Sequence, residues 1–112
     1  MLPRAGRLRN KRDFERVYQQ GRRVSMESFT MYVYPRGDDA PSRLGFVVGR
    51  RFGTHVARNR VKRRLRAVAR ALWERLPHGY DLVCVARTPA ATAPMDSLRE
   101  QFQRALQQGG VQ

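Results

Sequence analysis

The sequence predicts an α+β domain in which helices pack on a small sheet. Three observations predict it. Apolar residues recur with a helical period in three separate segments. They switch to a period of two, or to a continuous run, in the segments between, and Gly, Pro and Asp mark the joins. One domain over residues 1–112 suits the length, with 41% hydrophobic content to build a modest core, an ordered region at about 7–107 and short flexible tails.

The first helix spans residues 11–20. Asn10 stands at its cap, Asp13 favours the positive helix end, and Phe14, Val17 and Tyr18 fall at i, i+3 and i+4 on one stripe before Gly21 stops it. From Ser28 the period becomes two: Phe29, Met31 and Val33 face one way, Thr30, Tyr32 and Tyr34 the other, as in a strand. The turn formers of residues 35–43, PRGDDAPSR, lead to a second strand at 44–49, and these two strands are expected to pair antiparallel. Residues 22–26 offer a short edge strand that pattern alone leaves open.

After Gly49 and Gly53 the helical period returns through Val61, Leu65, Val68, Leu72 and Leu76, ending at Pro77 and Gly79. Residues 80–86 form a continuous apolar run, read as a buried central strand. Residues 88–94 are a loop. Residues 95–106 carry Leu98, Phe102, Ala105 and Leu106 on one helical stripe, with Asp96 as the expected cap, and Gly109 and Gly110 begin a frayed tail.

Charge narrows the partner. The chain carries 23 Lys and Arg against 9 Asp and Glu, a net +14, which calls for a polyanion. No apolar run reaches the roughly 20 residues of a spanning helix, and no secretory signal opens the chain, so the cytoplasm is the expected compartment and a membrane is not the expected partner. The cations concentrate: residues 50–66 hold eight Lys and Arg and no Asp or Glu. On the second helix Asn59, Arg63, Arg66 and Arg70 gather opposite the apolar stripe, Arg60 and Lys62 flank them, and Arg50 and Arg51 precede the helix. Helix N-termini and arginine forks both suit phosphate oxygens, so this face reads as a nucleic-acid surface rather than a merely solvated one. A lipid-surface helix would need its apolar face free, whereas here the core takes it. Asn59 reads equally as a cap or as one half of a fixed hydrogen bond.

Phe14, Tyr18 and Tyr32 have two uses open to them, core packing or the stacking of unpaired bases beside a cationic groove. Catalytic residues are not expected. His55 and His78 lack a dyad or metal partner, Asp38 and Asp39 adjoin only in a loop, and lone Cys84 in DLVCVA reads as a small buried hydrophobe.

Five segments in order, LRNKRDFERVYQQG, FTMYVY, LGFVVGRRFGTHVARNR, ARNRVKRRLR and YDLVCVARTPA, give the chain a specific likeness over nearly its whole length. It resembles the protein subunit of bacterial ribonuclease P, the ribonucleoprotein endoribonuclease that removes the 5′ leader of precursor tRNA. The resemblance implies an αβββαβα sandwich with a four-stranded sheet, which requires the edge strand near residues 22–26, and an unusual left-handed crossover around the second helix. It implies a noncatalytic subunit, one per RNA subunit, with the chemistry carried by that RNA and its magnesium and no cofactor on the protein. It places RNA-subunit contacts on Arg50, Arg51, Arg58, Asn59, Arg60, Lys62, Arg63 and Arg66, and contacts to the precursor-tRNA leader on Phe14, Tyr18 and Tyr32. Tyr18 stands where the family also has phenylalanine. The alternative is a structural ribosomal or other RNA-binding protein without a processing role, since related folds occur there.

Overall fold

The side chain of Asn10 accepts a hydrogen bond from the backbone N–H of Arg12 at 2.8 Å, and helix α1 runs from there over Lys11–Gln20. Residues 4–111 are described by the computed structural model. Gly21 closes α1 by donating its N–H to the carbonyl of Val17. The chain then enters strand β1 (Arg22–Ser25), the edge strand the pattern left open, followed by β2 (Phe29–Pro35) and β3 (Arg43–Val47). Helix α2 (His55–Leu72), strand β4 (Tyr80–Ala86) and helix α3 (Met95–Gln108) complete the αβββαβα order.

The expected hairpin between β2 and β3 does not form. The sheet order is β1-β2-β4-β3: β4 lies between them, antiparallel to β2 and parallel to β3. The reason lies in β4 itself. Leu82, Val83 and Cys84 are all buried, so this strand needs cover on both faces and takes the centre, where it is most fully enclosed. The long turn at 35–43 lets β3 step aside, and α2 supplies the crossover that a parallel pair needs. β3 also stops at Val47, two residues short of the expected end, because Gly49 is already turning into the approach to α2.

Alternation divides the sheet into two faces. Phe29, Met31, Val33, Leu44, Leu82 and Cys84 join the stripe Val61, Leu65, Val68 and Leu72 of α2 and Leu98, Phe102 and Ala105 of α3 in the main core. Phe29 and Phe102 meet with ring centroids 6.1 Å apart. On the other face, among the described residues, the short α1 is the one helix that packs, with the cluster of Leu8, Val17 and Val83 beneath it and Phe14, Tyr32, Tyr34, Val47 and Val85 partly covered. One ten-residue helix cannot roof four strands.

Three further expectations are revised. Pro94, not Asp96, occupies the cap of α3 and makes no side-chain bond there, leaving Asp96 in the first turn. Leu76 lies beyond the end of α2, after a 3-10 turn at Trp73–Arg75, yet is buried as the stripe requires. The tail does not fray at Gly109: Gly109, Gly110 and Val111 donate back to Ala105, Gln107 and Leu106, and Val111 is buried.

Candidate nucleic-acid interface

Gly53, at φ 99°, turns the chain into α2, a conformation that favours glycine, and Thr54 caps the helix by accepting from the Ala57 N–H at 3.2 Å. The cap role is therefore filled, and Asn59 takes the other reading: its side-chain nitrogen lies 3.1 Å from His55 Nε2, one turn back. The 3-10 turn at Arg50–Phe52 sets exposed Arg50 and Arg51 just ahead of a helix whose first turn contains no acid. The positive helix end and two guanidinium groups converge there, a pairing suited to an anion.

Along α2, Arg60, Arg63, Arg66 and Arg70 are exposed, while Lys62, Asn59 and Arg58 are half-buried. The two arginines of the Arg-Asn-Arg triplet stand about 160° apart around the helix at 100° per residue, so they project from opposite flanks. Arg58 leans along the core stripe, and its buried Nε has no protein partner. Arg64 leaves the group altogether. Its guanidinium donates to the carbonyls of Ala90 and Ala93 and ties α2 to the segment before α3.

The aromatic residues lie on the other side of the sheet. The pairings Arg23 to Tyr32, Tyr32 to Val83 and Val83 to Gly45 run in one row across all four strands. Helix α1 crosses this row. Tyr18 meets Tyr32 edge to face at 5.0 Å, Val17 packs in one cluster with Val83, and Phe14 rests on Gly45. Gly45 admits the ring because it has no side chain: a Cβ there would lie 2.4 Å from Phe14 Cζ. Tyr18 stays 39% exposed, which leaves one edge of its ring open to a ligand. Burial, then the neighbouring Tyr32, pushes its hydroxyl pKa up, so the group remains a donor.

The next row, Thr30, Val85 and Val47, continues the floor beside α1, with Val85 and Val47 only half-buried. On the opposite flank Tyr34, Asp81 and Arg43 form a row closed by ion pairs. Arg43 grips the buried Asp81 carboxylate through Nε at 2.9 Å and Nη2 at 2.7 Å, and its Nη1 reaches Asp13 of α1 at 3.3 Å. Hydrogen bonding to Asp81 holds the Arg43 guanidinium above its ordinary range. Asp13 directly precedes Phe14, so this network sets where the first aromatic ring sits.

The two surfaces meet at the outer edge of β3. A cavity of about 260 Å³ there is lined by Arg7, Arg9, Phe14, Gly45, Phe46 and Arg66. Arg66 thus faces the aromatic site as well as belonging to the basic helix. Sequence reasoning passed over Arg7, Arg9 and Arg23. The signal for the first two was RLR, cations alternating about one apolar residue ahead of a helix cap; Arg23 emerges only from strand register.

Three of the groups suited to chemistry, Cys84, His78 and Asp38, are buried or engaged elsewhere. Burial pushes the Cys84 thiol well up, out of nucleophile range. His78 Nδ1 sits 2.9 Å from the Asp39 carbonyl, and Asp38 pairs with Arg36. Among the described residues no three metal-ligating side chains gather, and no helix is long and apolar enough to cross a membrane.

The model of one protein family, ribonuclease P, matches residues 2–109. The chain is 37% identical over 110 residues to the ribonuclease P protein component of Symbiobacterium thermophilum, covering 98% of this chain and 96% of that one. It is 42% identical over 108 residues to its counterpart in Chloroflexus aggregans, covering 96% and 79%. The RNase P protein of Staphylococcus aureus superimposes with a TM-score of 0.82 at 26% identity, covering 96% of this chain and 98% of that one. That of Thermotoga maritima gives 0.79 at 32% identity, covering 91% and 96%.

Proposed function

Because this chain belongs to the ribonuclease P protein family, we propose that it is the protein subunit of a ribonuclease P, binding a catalytic RNA on α2 and the 5′ leader of precursor tRNA on the aromatic row. The observation that carries the reading is the segregation of two kinds of surface. A cationic helix with no acid faces one way, and stacking rings beside Arg23 face the other. The first suits the dense phosphates of a folded RNA, and the second suits unpaired bases, which stack on aromatic rings.

In this division of labour the RNA cuts and the protein holds. Magnesium belongs to the RNA active site in this reading, since the buried carboxylate Asp81 is engaged by Arg36 and Arg43 and Asp38 by Arg36. Arg50, Arg51 and the α2 N-terminus meet the RNA subunit together with Arg58, Arg60, Lys62 and Arg63. Asn59, tied to His55, holds its amide in one orientation toward that RNA. Tyr32 and Tyr18 stack leader bases while Arg23, directly across from Tyr32, neutralises the passing backbone.

Reconstitution tests this. Protein alone is expected to leave precursor tRNA intact, and protein with the RNA subunit is expected to cleave it at low magnesium; cleavage by the protein alone overturns the reading. Tyr32→Ala in the holoenzyme is expected to weaken precursor binding by the equivalent of one stacked base, about 1–3 kcal/mol. Affinity for mature tRNA should hold. Equal losses for both ligands would remove the leader from this surface.

A further inference from the structure

The cavity at the β3 edge shares only Phe14 with the reading above, although it joins the two surfaces. Its geometry starts in the N-terminal segment. Arg7 forms a parallel bridge with Leu44, and the Leu8 N–H donates to the Leu44 carbonyl at 2.9 Å, so residues 7–9 lie extended along β3. In an extended chain alternate side chains share a side. Leu8 is buried under α1, and Arg7 and Arg9 are therefore directed together, away from it. Across the cavity stands exposed Arg66 of α2, and its walls include the rings of Phe14 and Phe46. Three guanidinium groups around an aromatic-walled recess match a nucleotide, with base against ring and phosphate among arginine forks.

We infer that Arg7, Arg9 and Arg66 form a nucleotide station at the outer edge of β3, which takes single-stranded RNA as it leaves Phe14. This rests on the leader-binding reading and extends it. A leader lying beside α1, on the open floor of half-buried Val85 and Val47, passes Phe14, and its next phosphate is held against α2. The other source of the same chemistry is an unpaired nucleotide of the RNA subunit itself. The row favours the leader, because Phe14 lies in both the row and the cavity.

Holoenzyme reconstituted with R7Q/R9Q tests the station against precursors whose leaders lengthen one nucleotide at a time. The expected result is unchanged affinity for mature tRNA and a loss of roughly tenfold for precursors once the leader is long enough to occupy the cavity, with the salt slope lowered by about one. R7K/R9K should recover most of that loss. Tyr32→Ala, run alongside, is expected to lose affinity from a different leader length, because Tyr32 and the cavity lie at separate places on the sheet. If Tyr32→Ala is leader-dependent and R7Q/R9Q is not, the station is wrong and the leader reading stands. If neither depends on the leader, the leader reading falls as well. Weaker binding of the RNA subunit by R7Q/R9Q, with no leader dependence, assigns the cavity to that RNA and overturns the inference. Should R7Q/R9Q melt early, R9Q alone gives the same readout, since Arg9 is exposed.

Discussion

Asp81→Ala is expected to destabilise the domain by about 3–5 kcal/mol, the scale for removing one partner from a buried ion pair. Asp81 is 0% exposed and lies in the central strand, with Arg36 Nη1 at 2.7 Å and Arg43 gripping both oxygens. Without it, two guanidinium groups remain beside the core, one of them only 11% exposed. In a domain of this size the melting temperature should fall by roughly 10–25 °C. Thermal and urea melts provide the check, and a shift of only a few degrees would mean that water solvates the site far better than its burial implies. Asp13→Ala gives the contrast. Its pairs to Arg16 at 3.6 Å and Arg43 at 3.3 Å are partly exposed, and exposed pairs contribute about 0–1 kcal/mol, so its melt should barely move.

The second large effect is on RNA. Replacing Arg58, Arg60 and Arg63 with alanine together is expected to weaken binding of the RNA subunit roughly a hundred- to a thousandfold and to flatten the salt dependence by about two to three released counterions. Filter binding across a salt series measures both. Arg64→Ala is the discriminating control: it removes the same charge from the same helix, but its guanidinium is held by carbonyls before α3. It should lower stability and leave the salt slope nearly intact. If Arg64→Ala and the individual outer-face variants flatten the slope alike, net charge rather than the placement of each side chain governs assembly.

Local features were legible in the sequence. Asn10 capped α1 as read, the stripe through Val61, Leu65, Val68 and Leu72 was buried, and Tyr80–Ala86 proved to be one of the two inner strands. These depend on near neighbours along the chain. What stayed hidden depends on strand register. The β2–β3 hairpin was expected because adjacent strands usually pair, and only the two-sided burial of β4 explains why it intervenes. Asp81 falls inside the run read as continuously apolar, and nothing within DLVCVA announces that Arg36 and Arg43 converge on it. Arg23 joined the aromatic site through cross-strand pairing with Tyr32 alone. The resemblance supplied the roles proposed for Phe14, Tyr18 and Tyr32; the structure adds that one helix laid across one row of the sheet brings them together.

The order β1-β2-β4-β3 has a consequence for how the chain matures. The strand that joins the two halves of the sheet is the last to be synthesised, so until residue 86 has emerged β3 has no neighbour from the sheet. α2, complete by Leu72, meanwhile holds a bare apolar stripe and an undiluted row of cations. At about 5–20 residues per second that interval is brief but real. During it the nascent chain is a sticky, basic segment, and ends only when β4 slots between its two waiting partners. Contacts of such long sequence separation form slowly. Closure of the sheet, more than formation of any helix, is the step that converts this polycation into a folded protein.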